Sequence, residues 1–187
     1  MPELEFDPVD AVAAGAVGAP GQRSFFIQAS KGGQTISVLV EKEQVAVLSA
    51  RLTTLLDEVA TRFPDAEDDV DDAEVAGDPV PLFRAVAIGI GFDPARQMVL
   101  IELHERPVPD EEEEAGPEPV ADDPALAALT ADEGYLARLY LSLGQARAMA
   151  RGGSEAVRAG RPPCPMCGGP LDPAGHVCPK LNGHVRR

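Results

Sequence analysis

Thr35-Ile-Ser-Val-Leu-Val-Glu-Lys-Glu-Gln44-Val-Ala-Val-Leu48 changes period part of the way along. Thr35 to Val40 is apolar and rich in β-branched residues, the composition of a strand. From about Glu43 the repeat becomes helical, with Val45, Leu48, Leu52, Leu55, Leu56 and Val59 on one face. A strand should therefore feed a helix almost directly. The helix should stop near Phe63-Pro64, because proline pushes the residue before it out of the helical region. A second junction of the same kind follows later. Tyr140-Leu-Ser-Leu-Gly-Gln145-Ala-Arg-Ala-Met149 superposes on Leu39 to Leu48, with a polar residue at the start of each helix and Gln three positions on, as in a capping box.

Upstream of the first junction, Ser24 to Ser30 reads as a strand, and Lys31-Gly-Gly-Gln34 as a tight hairpin whose paired glycines accept positive φ. Downstream, Leu82 to Ile90 and Gln97 to Leu103 form a second hairpin about the turn Phe92-Asp-Pro-Ala-Arg96. Tyr135 to Leu141 is a further strand. Ser142 then caps a helix running to about Ala159, ended by Gly160 and the prolines at 162 and 163. The expectation is an α+β domain over residues 1–160, a mostly antiparallel sheet of about five strands with two helices on one face.

The net charge of −15 is concentrated in two places. Residues 65–78 hold eight acids and no base, and residues 106–123 hold eight acids and one base, Arg106, leaving 15 acids and 15 bases elsewhere. Pro- and Gly-punctuated acidic stretches of this kind cannot build a core and read as loops. Asp68 to Glu74 lacks the glycine and the final glutamate of a calcium loop, so solvated charge is the simpler reading. From Arg138 onward the bias reverses, with eight bases against Glu155 and Asp172. No apolar run is long enough to span a membrane, and the acidic start, Met1-Pro-Glu-Leu-Glu, lacks the charge of a signal peptide. The expected location is the cytoplasm, with no membrane partner.

The chemistry lies in residues 161–187, which contain all three cysteines. Cys164-Pro-Met-Cys167-Gly-Gly places two thiols on a turn that can face one ion, and Cys178-Pro179 looks like half of a second knuckle. An odd cysteine count argues against a disulfide framework. The Cys-x-x-Cys pair sits in a Pro/Gly-rich tail and not at the start of a helix, which disfavours a redox dithiol. The expectation is a structural Zn²⁺ site. The fourth ligand is either His176, giving Cys-x2-Cys-x8-His-x-Cys, or His184, giving Cys-x2-Cys-x10-Cys-x5-His.

This tail, together with Ala14-Gly-Ala-Val-Gly-Ala-Pro-Gly-Gln-Arg-Ser-Phe-Phe26 and Glu41-Lys-Glu-Gln44, resembles an actinobacterial family of conserved hypothetical proteins, a domain of unknown function. The resemblance extends over nearly the whole chain, the acidic loops excepted. It implies no assigned activity, and a tail pattern that pairs the two-cysteine knuckle with His-x-Cys, matching His176 and Cys178.

Three functions fit these residues. The first is a non-catalytic zinc-binding interaction or regulatory protein whose partner is another protein. The second is a nucleic-acid binder using the basic C-terminal third, weakened by few aromatic residues for stacking. The third is an enzyme or binder of a phosphorylated small molecule, using the Gly15 to Arg23 segment. There Gly18, Gly21 and Arg23 could cradle a phosphate through backbone amides and a forked side chain, although a flexible lead-in with a turn is the simpler reading of the segment. No nucleophile–base pairing marks a catalytic centre, and His104, beside Glu102 and Glu105, reads as a surface residue. The first function is the expected one.

Overall fold

The computed structural model describes residues 2–63, 73–106, 134–161, 164–169, 171 and 178–181. The elements are β1 (Glu3–Phe6), β2 (Ala11–Val17), β3 (Ser24–Lys31), β4 (Gln34–Val40), α1 (Lys42–Arg62), β5 (Phe83–Arg84), β6 (Ala87–Asp93), β7 (Met98–His104), β8 (Leu136–Leu141) and α2 (Leu143–Arg158). The strands make two four-stranded sheets, ordered β1-β8-β7-β6 and β2-β3-β4-β5. The class is α+β, as expected. The single sheet of about five strands is corrected to two mixed sheets, each with one parallel pair, β1 on β8 and β4 on β5.

Three departures explain the difference. Leu82 to Ile90 is not one strand: β5 pairs with β4, and after Ala85 and Val86 the chain enters the other sheet as β6. Strand β1 is short and polar at its start. Strand β2 is Ala11-Val-Ala-Ala-Gly-Ala-Val17, a composition that advertises no strand because alanine and glycine are poor strand formers. Its small side chains have a structural reason, since α2 lies close against it. A Cβ on Gly152 would stand 3.3 Å from the Ala14 carbonyl oxygen, and one on Gly153 would stand 3.4 Å from Ala14 Cβ.

The two junctions visible in the sequence belong to two halves built alike. In each half a hairpin strand leads to a helix whose third residue is Gln. Gln44 Oε1 accepts from the Glu41 N–H at 2.7 Å, and Gln145 Oε1 accepts from the Ser142 N–H at 3.0 Å. The amide of Gln44 donates to the carbonyls of Ala85 and Val86, and that of Gln145 to those of Val9 and Asp10. The registers agree as well: Phe25 faces Val40 as Val99 faces Leu141, and Ala11 faces Ser30 as Ala87 faces His104. Buried Phe6 and Phe83 occupy matching places, opposite Leu139 and Val38. The short first strand of each half is exchanged. β1 pairs with β8 of the second half, and β5 pairs with β4 of the first.

One hydrophobic cluster joins both sheets and both helices. From α1 it takes Val45, Leu48, Leu52, Leu56 and Val59, as the periodicity predicts, with Leu55 only half-buried. Each large aliphatic side chain buried in this way contributes about 1.5–3 kcal/mol. The helices also pack on each other, where Gly153 of α2 meets buried Ser49 and Val45 of α1. The predicted hairpin turn is present, with Gly32 and Gly33 at φ of 57° and 81°. The first acidic stretch is not wholly a loop apart from the body. Ala76 donates its N–H to Gln28 Oε1 at 2.9 Å, and a Cβ on Gly15 would lie 3.0 Å from Val75 Cγ2. The second stretch lies almost wholly outside the described residues.

Candidate metal centre

Helix α2 is capped by Ala159, and five residues later the chain reaches Cys164. The Cys164 N–H donates to the Gly169 carbonyl at 2.7 Å, and the Gly168 N–H donates back to the Cys164 carbonyl at 2.8 Å. These two bonds close a tight loop around Pro165, Met166 and Cys167. Gly168 sits at φ +76°, a conformation that a side chain would strain. Gly169 follows closely enough that a Cβ there would lie 3.4 Å from Cys167 Sγ. Farther on, Cys178 opens a 3₁₀ turn over Pro179–Leu181 and is buried, as is Cys164, while Cys167 is half-buried.

The three sulfurs converge. All lie within 4.8 Å of one another, and Cys164 Sγ stands 4.0 Å from Cys178 Sγ. That separation is about twice the ~2.05 Å of a disulfide bond. It approaches the ~3.8 Å between ligands of a tetrahedral ion with Zn–S bonds of about 2.3 Å. Three soft sulfur donors on one side of a small site suit zinc and other thiophilic ions. His176 and His184, the two candidates for the fourth position, lie outside the described residues.

The protonation chemistry agrees with a site built for a cation. A hydrogen bond from Gly169 draws the Cys167 thiol down. Partial burial and the neighbouring Cys178 and Cys164 thiols outweigh it, leaving Cys167 above its ordinary value. A divalent ion reverses this balance by binding thiolates directly.

The remaining predicted residues are dispersed. Gly15 lies within β2, so the proposed phosphate cradle is partly a strand, which corrects the reading of that segment as a lead-in loop. Gly18 and Gly21 stand at φ of 110° and 95° in the connection from β2 to β3. Arg23 ends that connection and lines a cleft with Lys42, Arg84 and Arg161, none of which the sequence ties to it. His104 ends β7, with Nε2 3.9 Å from Glu102 Oε2. Glu102 accepts from Arg138 Nε at 2.9 Å, and Arg138 reaches Glu3 at 2.8 Å, a chain of charges that ties β7, β8 and β1 together. Glu102 and Glu3 raise the Arg138 pKa further, against the opposing effect of its burial. These are links between strands, not parts of the cysteine site.

Among the described residues no helix is long and apolar enough to cross a membrane. Neither a curated protein nor a solved structure matches the chain. A family model does, over residues 4–178, a span that includes all three cysteines of the cluster and both halves of the fold. The chain belongs to that family, described as a protein of unknown function, DUF3090.

Proposed function

We propose that this chain is a non-catalytic zinc-binding protein that acts by contact with another protein in the cytoplasm. The convergence of Cys164, Cys167 and Cys178 within 4.8 Å carries the reading. Zinc is the metal because it is redox-inert and takes four N/S ligands in structural sites, here three thiolates and His176, with His184 as the alternative. The ion holds the C-terminal tail against the end of α2, where few apolar side chains are available to do so. A protein partner is supported by the exposure of Val47, Val86 and Met166. Val47 and Val86 border a groove of about 300 Å³ whose floor includes Leu48, Ile88 and Ile90. A reducing compartment follows from thiols kept for metal.

Metal analysis of protein purified without chelators should find about one zinc per chain, and Cys164→Ser or Cys167→Ser should abolish it. A structural site of this kind contributes roughly 10–16 kcal/mol of binding, so losing one ligand is decisive. Limited proteolysis should then release the tail while the two-sheet body persists. His176→Ala should weaken zinc binding more than His184→Ala. Protein that carries no metal and takes up none would defeat the proposal. Retention on nucleic acid that falls steeply with salt would replace the protein partner with the second reading, through the exposed Arg147, Arg151 and Arg158 of α2.

A further inference from the structure

Four separate elements each deliver one cation to a single cleft of about 350 Å³. Arg23 comes from the end of the β2–β3 connection, Lys42 from the first turn of α1, Arg84 from β5, and Arg161 from the segment after α2. Among the described residues Glu41 is the only acid on the wall, which leaves three net positive charges from them in a chain whose net charge is −15. Glu41 is already engaged by Arg84, and neither Arg23 nor Lys42 forms an ion pair with a described carboxylate. The packing serves this convergence. Gly21 stands at φ +95°, and a Cβ there would sit 3.4 Å from both Cδ and Nε of Arg161, so the arginine lies over bare backbone. A Cβ on Gly160 would be 3.5 Å from Lys42 Nζ. Phe25, Leu39 and Val40 complete the wall with apolar surface.

The other half of the molecule provides an internal comparison. Asp7 follows Phe6 there as Arg84 follows Phe83 here, and Arg96 precedes Gln97, whose register matches that of Arg23. Both Nη atoms of Arg96 donate to the Asp7 carboxylate, and its guanidinium lies 5.0 Å from the centre of the Tyr140 ring. In that half the protein answers its own charge. In the first half Arg84 replaces the acid, and Arg23 and Lys42 stand there without a described carboxylate to answer them.

We propose that this cleft binds the phosphate of a phosphorylated small molecule. Arg23, Lys42 and Arg161 would hold the phosphate oxygens, Arg84 would add charge from its pair with Glu41, and the apolar wall would take the remainder. Arginine's planar fork suits phosphate, and the amino-terminal end of the long helix α1 adds favourable potential. The volume lies at the small end of the range for small-molecule sites, and the cations line one cleft instead of tracking along a surface as a polynucleotide site would. This inference is independent of the metal reading.

The test uses the full metal-loaded chain at low ionic strength, with pyrophosphate and phenyl phosphate as probes, read by calorimetry and by the shift in melting temperature. Both probes should bind, phenyl phosphate using the apolar wall. Arg23→Ala and Lys42→Ala should each weaken binding about ten- to hundredfold, the loss expected for a charge-assisted hydrogen bond. Arg51→Ala, on an exposed part of α1 away from the cleft, should leave binding unchanged. Lys42 is exposed in the first helical turn, so its replacement reports on binding even if Arg23→Ala disturbs the fold. Absence of binding by either probe would overturn the proposal, as would affinities indifferent to both cleft variants. Single-stranded DNA bound more tightly than pyrophosphate, and weakened equally by Arg51→Ala, would also overturn it in favour of a polynucleotide surface.

Discussion

Gly153 offers a measurement of the contact that joins the halves. It lies inside α2, where glycine is normally the weaker choice and Gly→Ala would gain up to about 1 kcal/mol of helix stability. The structure opposes that gain. A Cβ at position 153 would meet Ser49 Oγ at 2.5 Å and Val45 Cγ1 at 3.1 Å, both on α1, with Ala14 Cβ of β2 at 3.4 Å on another side. Rotating Ser49 could relieve the first contact but not the second, so the helices would have to separate by a few tenths of an ångström. Overpacking of this kind costs about 1–3 kcal/mol. Gly153→Ala should therefore destabilise the protein by a net ~1–2 kcal/mol, or roughly 2–8 °C in melting temperature at about 2–4 °C per kcal/mol for a chain of this size. Ser49→Ala removes the nearest atom but leaves Val45 in place, so in that background Gly153→Ala should cost less than it does alone. The coupling between the two substitutions, measured by denaturant or thermal unfolding in a double-mutant cycle, should be about 1 kcal/mol or more. A Gly153→Ala protein that melts higher than the parent, by the same amount with and without Ser49, would show that the helices do not cross here.

Three further outcomes are expected. The hydrogen bond from Arg96 holds the Asp7 carboxyl below the usual carboxylate range, against the opposing effect of burial and with help from the charges of Arg96 and Lys31. A pKa depressed on folding stabilises above the unfolded value of about 3.9, and that contribution fades as pH falls through the folded value. The melting-temperature gap between parent and Asp7→Asn should thus be open at pH 7 and shrink below about pH 4; a gap constant with pH would refute the pairing. In the first acidic stretch, exchanging the acids of residues 65–72 for serine should leave the melting temperature unchanged. Gln28→Leu should lower stability by about 1 kcal/mol, because it strips a partner from the buried Ser37 hydroxyl and from the exposed Ala76 N–H. Gln28 bonds Ser37 Oγ at 3.1 Å and the Ala76 N–H at 2.9 Å, so an unaltered melting temperature would mean that the segment does not dock there.

The local rules were readable from residues that answer to their near neighbours. The α1 stripe from Val45 to Val59 appears in the structure because a helix buries whichever face repeats at its own period. Gly32-Gly33 makes the expected turn because few other pairs accept those angles. The Gln44 and Gln145 junctions could be matched on paper because a cap is a contact over three residues. The Cys164–Cys167 spacing pointed to a candidate metal site for the same reason, and the structure brings Cys178, also expected there, to 4.0 Å from Cys164.

What the sequence could not show depends on distant partners. Strand β2 looks like a glycine-rich lead-in, since its alanines and Gly15 match no strand propensity. They are small because α2 and Val75 occupy the space beside them. The exchange of β1 and β5 between halves leaves no local mark, because a parallel edge strand of two to four residues is defined only by the strand it pairs with. The cationic cleft is of the same kind. Arg23, Lys42, Arg84 and Arg161 are far apart in sequence, and each alone reads as an ordinary surface charge. Only the meeting of the β2–β3 connection, the start of α1, β5 and the segment after α2 brings the four charges together, because electrostatic potential sums over distance in space and not along the chain.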